Sequence, residues 1–94
     1  MDDPVAAAAA VQRVMAREEA EAILSRLSPR QHAVLELVTE GLTNAQIAAR
    51  LGTAETTVKR HVTLVLRKLG VRSRTQAALR AVRLLGHSAE EPGT

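Results

Sequence analysis

Ninety-four residues are enough for one small domain and too few for a second module of ordinary size. The chain has no cysteine and no aromatic residue, which removes disulfides, thiol catalysis, cysteine metal centres and aromatic platforms for stacking bases. Its net charge is only +3, yet eight basic residues and one acidic residue fall between Glu55 and Gly86, a concentrated cationic block of the kind that binds polyanions.

Residues 1–27 form an alanine-rich leader with more acidic than basic residues. Its start, MDDPVAAAAAV, makes no signal peptide, because the leading charges are acidic and alanine is a weak hydrophobic region. Val5 to Leu27 is predicted to be at least partly helical, with Ala16, Ala20, Ile23 and Leu27 as a stripe toward its end. The alanine tract itself is compatible with a frayed helix, a flexible leader or the end of a linker. No apolar run approaches the length needed to span a membrane, and a soluble, cytoplasmic protein is expected.

The punctuation then becomes regular. Ser28, Pro29 and Gln31 spell a capping box with proline at the first helical position. The helix they open carries Ala33, Val34, Leu37 and Val38 on one face and stops at Gly41, with Leu42 placed to fold back onto Leu37. Thr43 and Gln46 repeat the box, starting a helix over Asn44 to Leu51 with Ile47, Ala48 and Leu51 on one side and Gly52 at its end. Only Thr53 and Ala54 separate it from the next helix, residues 55–69, so the two must cross steeply, as in a helix-turn-helix spanning about 43–62. Ala54 offers no capping oxygen, and Thr53 is the expected substitute. Gly70 ends this helix. Ser73 and Gln76 spell a third box, opening a helix through Ala77, Ala78, Ala81, Val82 and Leu85 to Gly86. The tail, residues 87–94, is expected to be disordered. Strand signals are missing, so the fold class is all-α.

The 55–69 helix is divided lengthwise. Val58, Val62, Val65, Leu66 and Leu69 make a stripe to bury, while Thr56, Lys59, Arg60, Thr63 and Arg67 fall together on the opposite side. A helix of this kind fits the B-DNA major groove, where lysine or arginine holds guanine O6 and N7 and a threonine methyl meets a thymine methyl. Thr57 and His61 flank the stripe and suit phosphates or packing. The starts of the 43–51 and 73–86 helices, with Thr43, Asn44, Arg72, Arg74 and Thr75, suit phosphate binding at helix N-termini. Bland alternatives accompany each residue: solvated charges for Lys59, Arg60 and Arg67, a structural role for His61, capping alone for Asn44 and Gln46. His32, His61 and His87 are far apart in sequence and no cysteine is present, so no metal site is expected. No cofactor and no small-molecule ligand can be assigned.

The stretch LSPRQHAVLELVTEGLTNAQIAARLGTAETTVKRHVTLVLRKLGVRSRTQA closely resembles the LuxR-type helix-turn-helix domain of bacterial transcription regulators, through GLTNAQIA, TVKRHV and LRKLGVRSRTQA in family order and spacing. The match runs from Leu27 to about Leu85. It implies a compact four-helix domain (residues 28–86) whose 55–69 helix reads the major groove with Lys59, Arg60 and Thr63 toward the bases. It also implies phosphate contacts from the ends of the 43–51 and 73–86 helices, and a homodimer built on the last helix, for which Ala78, Ala81, Val82 and Leu85 are the candidate contacts. A protein of this type is nucleoid-associated when bound, with double-stranded DNA as its partner and RNA polymerase as a further candidate; no membrane partner is expected. Two departures stand out. Ala54 replaces the usual capping serine, and the receiver, ligand-binding or ATPase domain that usually precedes this one is not among the 94 residues, so the chain reads as a stand-alone regulator or an excised C-terminal domain. Other readings are the last DNA-binding region of sigma factors, disfavoured by the helix after LGVRSRTQA, and a helical adaptor that binds protein through its leader or last helix. No segment assembles a nucleophile, base and orienting group, so an enzyme is not expected.

Overall fold

Most helix starts in this chain place a side-chain oxygen where the first backbone N–H groups have no partner of their own. The computed structural model describes residues 3–85 and contains α1 (Pro4–Ser25), α2 (Pro29–Thr39), α3 (Asn44–Leu51), α4 (Glu55–Leu69) and α5 (Arg74–Leu85), with no strand among those residues. Asp3 caps α1 by accepting from the N–H groups of Val5 and Ala6 at 3.1 and 3.2 Å. Ser28 with Gln31 and Thr43 with Gln46 complete reciprocal capping boxes. At α5 the Ser73 hydroxyl accepts from the Gln76 N–H at 3.1 Å, whereas the Gln76 side chain reaches past Ser73 to the Arg72 N–H at 2.9 Å. The third box therefore closes one residue earlier than its spelling suggests. The expected stop at Gly86 and the expected disorder of residues 87–94 lie outside the described residues.

Helix α4 is the exception. Ala54 stands at its N-cap in extended conformation with no side-chain hydrogen bond, and the expectation that Thr53 supplies the cap is not met. Thr53 is committed to the end of α3, where Gly52 turns left-handed (φ 66°) and the Thr53 N–H donates to the Ala48 carbonyl at 3.0 Å. Helix α4 begins instead from the Ala54 carbonyl, which accepts from Thr57 and Val58 at 3.0 and 3.1 Å. The Glu55 carboxylate in the first turn offsets the helix dipole. The close of α2 is a Schellman turn: Gly41 takes φ 86° and the Leu42 N–H donates to the Leu37 carbonyl at 3.2 Å.

Two apolar clusters hold the helices together. One joins Ala20, Ile23 and Leu27 from the end of α1 to Leu35 of α2, Val65 and Leu69 of α4, and Ala77, Ala81 and Leu84 of α5. The other joins Val34, Leu37 and Val38 of α2 to Ile47 and Ala48 of α3 and Val58 of α4. Helices α2 and α4 enter both. Consecutive residues Val34 and Leu35 are each 0% exposed, so α2 is buried on two sides, beyond the single stripe its spacing suggested. Val62 and Leu66, expected in the buried stripe of α4, are half-buried at its flanks. Helix α1 is continuous from Pro4, but Ala16 is exposed, and α1 adds to the core only from Ala20 onward.

Cationic side chains tie the loops to this framework. The Lys68 ammonium donates to the Arg26 carbonyl at 2.9 Å and to Gln31 Oε1 at 2.8 Å, the same oxygen that accepts from the Ser28 N–H at 3.1 Å. It places a positive charge at the C-terminus of α1, where the helix dipole favours it, and joins α1, the α2 capping box and α4. Arg30 donates to the Leu51 carbonyl at 3.2 Å, linking α2 to the end of α3.

Supplying the missing cap should stabilise the fold: Ala54→Ser is expected to add about 1 kcal/mol, seen as a rise in the midpoint of a thermal melt followed by circular dichroism. In the same assay Leu35→Ala should lose about 2–5 kcal/mol, while Val82→Ala, at an exposed position, should stay within about 0.5 kcal/mol of the parent.

Candidate nucleic-acid interface

At about 100° per residue, the side chains of Thr56, Lys59, Arg60, Thr63 and Arg67 fall within an arc of roughly 100° on α4, diametrically opposite Val58, Val65 and Leu69. The accessibility of these residues follows that division. The three apolar residues are buried and all five of the opposite row are exposed. Burying one side of α4 in both clusters thus sets the other side free. Lys59, Arg60 and Arg67 make no side-chain hydrogen bond or ion pair among the described residues, where His32–Glu36 at 3.7 Å is the one ion pair. The Thr63 hydroxyl donates back to the Lys59 carbonyl at 3.1 Å, so its proton is used within the helix while its lone pairs and methyl group remain. Such a row offers charged donors, hydroxyl acceptors and methyl groups, the three chemistries that distinguish base edges in a major groove.

Thr57 and His61 flank the row and are half-buried. His61 Nδ1 is enclosed without a hydrogen-bond partner. Among the residues proposed from sequence for phosphates, the structure brings Asn44 and Arg74 into direct contact. Arg74 donates through Nη1 to Asn44 Oδ1 at 2.6 Å and through Nη2 to the Leu42 carbonyl at 2.5 Å. Its half-buried guanidinium therefore pins the start of α5 to the start of α3. The sequence reading had Arg74 as a phosphate ligand alone; the structure gives it a bracing task, because the α2–α3 loop presents a carbonyl and an amide oxygen beside it. Thr43 uses its hydroxyl and N–H in the capping box. Arg72 and Thr75 are exposed, and the Arg72 side chain is unpaired among the described residues.

On α5, Ala81 is 0% exposed and belongs to the core, so it is withdrawn from the surface expected to meet a second copy. Ala78 and Leu85 are half-buried and Val82 is 48% exposed. Leu79, not singled out from the sequence, is the most exposed apolar side chain of this helix at 64%. The near-continuous apolar run from Ala77 to Leu85 let the buried centre of the face shift by a residue. Lys68 was also missed, since a lysine near a helix C-terminus carries no mark that separates a brace from a solvated charge.

The comparisons agree with this architecture. The family model for bacterial regulatory proteins of the luxR family matches residues 25–81. The chain is 45% identical over 82 residues to the DNA-binding transcriptional activator DevR/DosR of Mycobacterium tuberculosis, covering 87% of this chain and 38% of that protein. It is 41% identical over 63 residues to the nitrate/nitrite response regulator protein NarL of Escherichia coli, covering 67% of this chain and 29% of that protein. Among solved structures, the response regulator StyR is similar with a TM-score of 0.70 and 37% identity, over 84% of this chain and 38% of that one. The chain thus spans 38% or less of the length of these relatives. With the α3–α4 pair as its helix-turn-helix, the chain belongs to the luxR family of bacterial regulatory proteins, DNA-binding transcription regulators rather than an enzyme class.

Proposed function

We propose that α4 enters the major groove of double-stranded DNA and reads base edges with Lys59, Arg60, Thr63, Arg67 and Thr56, as the sequence-specific arm of a transcription regulator. The observation that carries this reading is the unpartnered row on α4, exposed along its length and directly opposite the residues that anchor the helix. The starts of α3 and α5, held side by side by Arg74, set their backbone N–H groups, Arg72 and Thr75 toward phosphates. Val82, rimmed by Ala78 and Leu85, is a small apolar surface for a second copy. It is well below the roughly 800 Å² per partner of a stable interface, so the dimer is weak in solution and completed on an inverted repeat with half-sites about one helical turn apart.

Selection from random duplexes should enrich a palindrome. On the selected site, Lys59→Ala or Arg60→Ala should cost about 1–3 kcal/mol and relax the preference at one base pair, measured by anisotropy of a labelled duplex; equal losses on selected and random duplexes would refute base reading. Arg72→Ala and Arg74→Ala should both weaken all duplexes alike, and a thermal melt separates them. Arg74→Ala also loses about 1.5–3 kcal/mol of stability, as expected for hydrogen bonds from a charged group, whereas Arg72→Ala melts as the parent does. Sedimentation of the chain with a two-half-site duplex should show two copies bound; one copy at saturation overturns the dimer.

A further inference from the structure

A second cationic surface lies where α1 crosses α5. Arg13, Arg17 and Arg83 surround a depression of about 210 Å³ floored by Ala16 and Ala20. Arg83 also borders a neighbouring depression of about 530 Å³, which it shares with Arg80 and Leu79. The two hollows form one strip, with Arg83 common to both. None of these four arginines has an ion-pair partner among the described residues, and Arg80 Nε is enclosed without an acceptor. Arg13 and Arg17, four residues apart on α1, are neighbours whose like charges repel. No carboxylate relieves them, although Glu18, Glu19 and Glu21 follow closely in sequence.

This strip is remote from the reading row. Val65 and Leu69 of α4 pack against α1 and α5, so the exposed row of α4 points away from both helices. Arg83 lies nine residues beyond Arg74, about 13 Å farther along α5 from its DNA-facing start. A duplex lying on α4 therefore does not pass over Arg13, Arg17 and Arg83. The chemistry also differs from that of a phosphate track, because Leu79 stands within the strip at 64% exposure. Arginine forks beside an exposed leucine are the composition of a protein contact, with guanidinium groups taking carboxylates two oxygens at a time and the leucine covered by an apolar residue.

We propose that the arginine strip between α1 and α5 docks an acidic, amphipathic segment of a protein partner, on the side of the molecule opposite to DNA. The occupant presents carboxylates spaced one helical turn apart and an apolar side chain for Leu79. This site is independent of base reading by α4.

The test uses the full chain and a fluorescein-labelled amphipathic helical peptide with glutamates at i and i+4 and leucines on the adjoining face, at low salt because exposed charges are screened. Amide shifts should map to Ala16, Ala20, Leu79 and Arg83. The double variant Arg13→Glu/Arg17→Glu and the single variant Arg83→Glu should each lower peptide affinity about tenfold or more, with the thermal midpoint and the affinity for selected DNA unchanged. The corresponding Arg→Gln variants give smaller losses in the same order and serve if charge reversal impairs folding. Equal binding of a peptide with glutamine in place of glutamate overturns the proposal. So does the absence of binding, unchanged affinity in the variants, or a strip that responds to random-sequence duplex DNA instead of the peptide.

Discussion

Everything in this fold depends on α4 being held from one side only. A helix that must lie in a groove cannot be covered by its own domain, so all of its anchorage has to come from Val58, Val65 and Leu69 with help from the flanks. The two clusters meet this constraint by gripping opposite ends of the buried stripe. Val58 sinks among α2 and α3, while Val65 and Leu69 sink among α1, α2 and α5. Without aromatic side chains to fill volume, the fit rests on branched aliphatics and on alanines that let helices approach closely. Leu35 and Val34, adjacent and both fully buried, let α2 serve as the common wall between the clusters.

The positive charge that marks the second half of the chain has several occupations. Lys59, Arg60 and Arg67 are free on α4, but Lys68 and Arg74 are engaged with carbonyl and amide oxygens of loops. A cation used in this way joins segments that have little apolar surface to offer each other. It also fixes the direction of the helix ends it touches, which an apolar contact does less strictly because it has no preferred angle. Net charge therefore overstates the surface available to a polyanion, and geometry decides how much of it is presented outward.

Helix starts and stops were legible because their signals are local: Ser28 with Gln31, Thr43 with Gln46, and the glycines at 41, 52 and 70 each need only a few neighbours. The division of α4 was legible because residues four apart share a face whatever packs against them. What escaped were facts that belong to pairs distant in sequence. Arg74 meets Asn44 thirty residues away, and Lys68 meets Arg26 across forty-two; no spacing rule encodes either. Leu79 and Ala81 were misjudged for a related reason: when almost every position of a helix is apolar, periodicity no longer selects one face. The cap at Ala54 was read correctly as weak, but its replacement by Thr53 failed because the turn was already occupied with ending α3.

Helix α1 is fastened to the body only near its C-terminal end, through Ala20, Ile23 and Leu27 and the Lys68 contact to Arg26. From Ala20 back to Asp3 it runs about 25 Å, with Val5, Val11, Val14 and Met15 outside the core. Such a helix is a lever with a short fulcrum. A turn of about ten degrees at the anchorage displaces its free end by about 4 Å, and a load applied at that end arrives at Lys68 and hence at the last turn of α4.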